Sequence, residues 1–293
     1  MSWSPIKLEQ GEGKPVTVLL ISDIFSGLMA IFLNTAANVL FLDAFGTQYL
    51  PHAYIGSGIF GVLVGLLYTQ IQKYVSLRQL LFGNLTLVLV TIVLFRLLFE
   101  LPGKWPIAAL FISLNSILVL SGLVIVPVKG LLFNLRQGKR LFGFISAGGL
   151  ISGITGGFTV PLLVKVGGGT ENLLIFTAIS IAFMLCILLY IFKAYPERFS
   201  ETDESPKKAA EKTSSAELLK SRYLRLIFAV SIMMIFIFYF LNYIFSEQMK
   251  AKFPDKDEMA SYFAIFFSVG RVVSLLCVTF ISGRVLTRYG LTG

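Results

Sequence analysis

The stretch VTVLLISDIFSGLMAIFLNTAANVLFL, Val16–Leu42, decides the fold. It holds one charged residue, Asp23, and it exceeds the ~20 apolar residues that a helix needs to cross the hydrocarbon core of a bilayer. It is also far longer than the ~7–15-residue core of a cleavable signal, and no small-x-small site follows it, so it is expected to stay as an anchor. The same kind of run recurs at about 53–72, 79–99, 107–128, 141–165, 172–193, 223–246 and 259–283. Composition agrees: 56% of the 293 residues are hydrophobic and only 14% charged, against about a quarter charged in soluble domains. The expected fold class is an all-α membrane protein with eight transmembrane helices. The 26 glycines then read as packing surface, since Gly lets membrane helices approach closely.

Charge sets the orientation. With the N-terminus inside, 18 of the 25 basic residues fall in cytoplasmic segments, among them Lys73, Arg78, Lys129, Lys139 and Arg140. The outer loops keep Lys104, Lys165, Lys250, Lys252 and Lys256, while Arg96 and Arg271 lie within spans. The positive-inside rule therefore predicts a cytoplasmic N-terminus. The net charge of +9 is explained by those loops, and no basic stripe interleaved with aromatics points to nucleic acid.

Residues 196–222, PERFSETDESPKKAAEKTSSAELLKSR, are polar and low in aromatics and read as a cytoplasmic linker. This divides the chain into a six-helix half, 1–195, the linker, and two helices of a second half, 223–293. Six helices, a linker and more helices is the layout of transporters made of two six-helix halves. The expectation is a sequence cut short, with eight spans present of twelve.

Three further stretches carry a resemblance. NVLFLDAFGTQYLPHAYI (Asn38–Ile55), GKRLFGFISAGGLISGITGG (Gly138–Gly157) and DEMASYFAIFFSVGRVVSLLCVTFISGRVLTRYG (Asp257–Gly290) lie in register across most of the chain. They resemble the nucleotide translocase family, the ATP/ADP exchange-type carriers, and their bacterial relatives of the major facilitator type. The resemblance implies a major-facilitator-like bundle in a bacterial cytoplasmic (inner) membrane. It also implies a basic residue followed by Asp before the LFL-like stretch, where this sequence has Ala37 and Asn38. A cation that could hold a phosphate is missing there.

Asp23, Asn34 and Asn38 fall within about 60° on helix 1, forming one polar stripe. Such groups face a wet cavity or another helix rather than lipid, so they either contact substrate or join helices, the latter worth only ~0.6 kcal/mol per bond. Helix 7 repeats the theme with Tyr239, Asn242 and Tyr243. In repeat transporters the site lies between the halves near the midplane, which makes both stripes candidates for one pathway. Arg271, mid-span in helix 8, needs a partner or water; it is read either as a contact for an anionic substrate or as the structural partner of Asp23. Arg96 can snorkel and pair with Glu100. Lys129, near the inner end of helix 4, is read as an inner-mouth anion contact or a topology charge, and Asn115 as a further cavity residue. Gly149 and Gly153 form GxxxG in helix 5, and Ala260, Ala264 and Ser268 repeat small residues at the same spacing in helix 8. In the facilitator fold these two helices meet, which implies a gating seam. Gly61 and Gly65 offer a similar pair in helix 2.

No phosphate loop, GxSxG elbow or HExxH helix is present. The single histidine, His52, has no ligand-type neighbours at metal spacing, and Cys186 and Cys277 lie in apolar runs without a CxxC partner. Neither an enzyme nor a metal or cofactor is expected. The reading is a secondary transporter working by alternating access on a small anionic metabolite, with a nucleotide, in ATP/ADP-type antiport, as the class the resemblance implies. The alternative is a non-transporting membrane anchor or sensor linked to soluble domains.

Overall fold

The structure, a computed structural model, describes residue 9 and residues 11–199 and 222–277. Among these residues eight helices are long and apolar enough to span a membrane: α1 (Gly13–Phe45), α2 (Leu50–Ile71), α3 (Leu77–Leu98), α4 (Trp105–Leu132), α5 (Leu135–Gly167), α6 (Leu173–Ala194), α7 (Arg222–Lys252) and α8 (Lys256–Cys277). Every expected span is thus a helix. Most of the 196–222 linker, the second basic loop Arg284–Arg288 and the inner end of the eighth run lie outside the described residues.

Local chemistry sets the boundaries. Pro51 and Pro106 stand in the first turns of α2 and α4, where a missing N–H costs nothing. Ser76 opens α3 with a capping box to Gln79, and Asn134 opens α5 with one to Gln137; each box satisfies two otherwise orphaned backbone donors. The Asn134 box starts α5 earlier than its apolar run, so Arg140 belongs to the helix and does not precede it. Gly168, with φ +81°, ends α5 in the left-handed region, which glycine enters without steric cost.

The hub is α1, which packs against α5, α6, α4 and α8. A swapped pattern organises the first six helices. The first helix of each triplet packs on the second and third of the other: α1 on α5 and α6, α4 on α2 and α3, with α3 against α6. That is the arrangement of two interlocked three-helix repeats. The core is aliphatic and aromatic, with Leu33, Ala36, Val39, Ile92, Leu110 and Leu141 almost fully buried. Phe25 stacks on Phe183, at 4.6 Å between centroids, to tie α1 to α6. Outward faces are equally apolar, as α7 displays with Leu226, Phe228, Ile232, Met234 and Phe236 all exposed. In lipid those are the satisfied surfaces.

Candidate functional site: an amide and aromatic chamber with two separate membrane-interior cations

Helix α1 brings Asn34 and Asn38 to one side of a small chamber. Its other walls are Tyr54 of α2, Phe111 and Asn115 of α4, and Phe238, Tyr239 and Asn242 of α7. Five of the sequence candidates, Asn34, Asn38, Asn115, Tyr239 and Asn242, therefore converge. Asn38 Nδ2 donates to the Asn34 side-chain oxygen at 2.7 Å and to its carbonyl at 2.8 Å. Asn115 Nδ2 reaches Ser57 Oγ at 3.3 Å and the Tyr239 hydroxyl at 3.5 Å. Asn242 Nδ2 donates to the Phe238 carbonyl at 2.8 Å. The ring of Tyr239 packs on Tyr54 at 4.6 Å, which in turn lies 6.0 Å from Phe111. No charged side chain lines this chamber. Its volume is about 60 Å³, enough for a water or two, whereas sites for small ligands run to ~300–1,000 Å³.

Tyr54 and Phe111 were not among the sequence candidates. A weak signal existed for Tyr54: it lies three residues before Ser57 and seven before Gly61, one helical face that meets α4.

Asp23 does not share the chamber. It stands eleven residues before Asn34, about 16 Å along the axis at 1.5 Å per residue. There its carboxylate accepts from Lys129 Nζ at 2.6 Å, and the same ammonium donates to Ser146 Oγ at 3.1 Å. Both ionic residues are buried, at 5% and 8% exposure. One alternative is corrected here: Asp23 partners Lys129 and not Arg271, while Lys129 lies in the last turn of α4, which ends at Leu132.

Arg271 takes another place again. Its Nη1 donates to the Gly153 carbonyl of α5 at 3.0 Å, and no carboxylate pairs with it among the described residues. Gly153 is what admits it, since a Cβ there would stand 2.8 Å from that nitrogen.

The seam between α5 and α8 is real but shifted. Gly157 is the residue that meets Ala264 and Ser268, and a Cβ on it would overlap the Ser268 hydroxyl and press to 2.9 Å from the Ala264 carbonyl. Ala260, Ala264 and Ser268 are fully buried. Gly149 instead faces α1, where a Cβ on it would stand 3.2 Å from the Asp23 carbonyl. The Gly61/Gly65 pair of α2 makes no tight seam: a Cβ at Gly61 would meet Ser116 Oγ only at 3.8 Å, and one at Gly65 would meet open space.

Ionic ties lie at both ends of the bundle, and among the described residues those that join α7 and α8 to the first six helices are at the end where α1 stops. Where α1 ends, Lys250 Nζ lies 3.0 Å from Asp43, Lys256 pairs with Glu171, and Asp257 accepts from the Thr170 amide and hydroxyl at 2.9 and 2.7 Å. These ties join α7 and α8 to the first six helices. Where α1 begins, Arg140 pairs with Glu12 at 2.5 Å and Glu9 at 2.8 Å. The Glu9 backbone, Gln137 and Arg140 hold the Glu12 carboxyl below its ordinary range. Arg96 pairs with Glu100 at 3.3 Å, as its spacing implies, and also donates to Asn172 at 3.0 Å. Among the described residues no His, Cys, Asp or Glu cluster could hold a metal.

Long apolar helices, an interlocked triplet pattern and a polar chamber reached by α1, α2, α4 and α7 define a multi-pass α-helical membrane protein. The family described as TLC ATP/ADP transporter matches residues 132–293, more than half of the chain, and the chain belongs to that family. No curated protein and no solved structure matches it. The match begins at the end of α4, so the chamber residues of α1, α2 and α4 lie before it and those of α7 within it.

Proposed function

We propose that the chain is a secondary transporter that carries a small anionic metabolite, a nucleotide by its family, across a bacterial cytoplasmic membrane by alternating access, with its N-terminus inside. The observation that carries this reading is the convergence of Asn34, Asn38, Asn115, Tyr239 and Asn242 on one chamber from three helices, two before the polar linker and one after it. Amides and tyrosines gathered inside an apolar bundle serve a ligand better than they serve stability, since such contacts add only ~0.6 kcal/mol each between membrane helices. Arg271, cationic and without a carboxylate among the described residues, lies outside the chamber, so the anionic class of the cargo rests on the family.

A chamber of about 60 Å³ is too small for a nucleotide, so loading requires the walls to part. The three ties at the α1 C-terminal end and the α5–α8 seam are where they would part. In this arrangement the bundle is clasped on that side, and the opposite face would admit substrate first.

Uptake of labelled nucleotides and organic anions into proteoliposomes tests this. The expected result is counterflow that requires an internal anion and falls about tenfold or more in Asn115→Ala, a loss of the size that one or two lost substrate hydrogen bonds produce. No flux with any nucleotide or anion, from protein that is folded and inserted, would overturn the transporter reading in favour of a membrane anchor or sensor.

A further inference from the structure

The buried Asp23–Lys129 pair stands on the same helix faces as the chamber, farther along the same two helices. On α1, Asp23 and Asn34 are eleven residues apart, which at 3.6 residues per turn returns to within about 20° of one direction. On α4, Asn115 and Lys129 are fourteen residues apart, within about 40° of one direction and about 21 Å along the axis. The helices that bring amides to the chamber therefore bring the ion pair to its far end. We propose that Lys129 is an anion contact held in reserve by Asp23: an anionic group of the cargo displaces the carboxylate and takes over the ammonium. The proposal rests on the transporter reading above and names the residue that gives that path its charge preference.

Access is the first argument. Val119, Gly122 and Val126 continue the α4 face from Asn115 to Lys129. Among the described residues nothing covers this strip: Val119 and Val126 are 61% and 68% exposed, and a Cβ on Gly122 would meet nothing within 4 Å. At its far end Ser146 Oγ, which accepts from Lys129 Nζ at 3.1 Å, belongs to an exposed residue. The two ionic groups are buried, yet their hydroxyl partner stands at an open edge. Of the three N–H donors of an ammonium, Asp23 and Ser146 take two, so an incoming anion can engage Lys129 before the carboxylate leaves.

Charge is the second. Ser146 and Gly153, the α5 groups that Lys129 and Arg271 touch, are seven residues apart, two turns on one face and about 10 Å in depth. The neighbours of Gly148, Gly149 and Gly156 climb α1 from Leu20 through Asp23 to Ile31, so α5 runs parallel to α1 and Gly153 lies at a level between the pair and the chamber. Two cations then share one acid, since no carboxylate pairs with Arg271 among the described residues. A charge in a membrane interior calls for a partner or water, and an anionic cargo group supplies the missing sign.

The cost of exchange is the third. Opening a buried ion pair outright strands both charges, which is what makes such pairs hard to break. Replacing one anion by another keeps the ammonium paired throughout. The freed carboxylate has a second cation close in depth: Gly149 stands beside Asp23, and Gly153, which holds Arg271, is one turn further along α5. With a singly charged cargo group in place, the Lys129, Arg271, Asp23 and cargo charges sum to zero.

Thermal unfolding of the detergent-solubilised chain, titrated with ADP and separately with uncharged adenosine, tests this, because a ligand bound only by the folded form raises the unfolding temperature. Wild type should bind ADP more tightly than adenosine. Lys129→Gln should weaken ADP about tenfold, the size of one charge-assisted hydrogen bond, and leave adenosine unchanged. Asp23→Asn, which frees the ammonium, should tighten ADP severalfold and again leave adenosine unchanged. Asp23→Asn combined with Lys129→Gln strands no charge, and it carries the test should a single variant fail to fold: it should show the same loss for ADP as Lys129→Gln. ADP affinity unaltered in a folded Lys129→Gln or double variant, equal weakening of both ligands, or no ADP preference in wild type would overturn the proposal. Nucleotide flux by wild type in proteoliposomes alongside any of these results would confine the failure to Lys129 and leave the transporter reading standing.

Discussion

Asp23→Ala should destabilise the folded protein by about 3–5 kcal/mol, the cost of leaving one member of a buried ion pair alone. Lys129 is 8% exposed and would keep only the Ser146 hydroxyl as a partner. A cation in a membrane interior costs at least ~2.5 kcal/mol on the mildest scale, so the two figures agree in size. Lys129→Met should do similar harm by stranding the carboxylate. Combining Asp23→Ala with Lys129→Met removes both charges, and most of the lost stability should return. Thermal unfolding in one detergent measures all three. A double variant no better than the singles would mean that the pair does not act as a unit.

Gly157→Val should be the most damaging change on the α5–α8 seam. The new side chain has nowhere to go: the Ser268 hydroxyl occupies its first carbon's place and the Ala264 carbonyl stands 2.9 Å away. Overpacking of this kind costs about 1–3 kcal/mol or more where backbone must shift. Gly58→Val is the matched control, since a Cβ there meets nothing within 4 Å. Gly157→Val should lower the unfolding temperature and sharply reduce transport, while Gly58→Val leaves both near wild type. Ser268→Gly in the Gly157→Val background should recover part of the loss, not all, because the carbonyl remains. Indifference to Gly157→Val would place the two helices further apart than described.

The helices were legible because lipid imposes a simple rule: each run such as Val16–Leu42 had to be apolar over about 20 residues. Depth along a helix was harder to use. Asp23, Asn34 and Asn38 share an angular face, yet the eleven residues separating the first two place them about 16 Å apart, in different surroundings. Partner identity was harder still. Nothing local distinguishes Lys129 from Arg271 as the mate of Asp23, because that choice depends on which helices α1 touches. The start of α5 is written in the capping-box spacing of Asn134 and Gln137, but the adjacent Lys139–Arg140 pair reads equally as a basic loop before the apolar run. The glycine stripe of α5 was visible, while the register that selects Gly157 over Gly149 against α8 emerges only from the packed pair.

The three ties at the C-terminal end of α1 have a consequence for occupancy. Their ionic groups are about a third exposed, Lys256 at 35% and Lys250 at 30%, and solvated pairs of this sort contribute about 0–1 kcal/mol each. Under the proposed alternating access, these two ion pairs add at most about 2 kcal/mol to the clasped form, below the ~5.5 kcal/mol that moves a two-state mixture from 1:99 to 99:1. The larger share of any preference for the clasped form then falls to the buried α5–α8 seam.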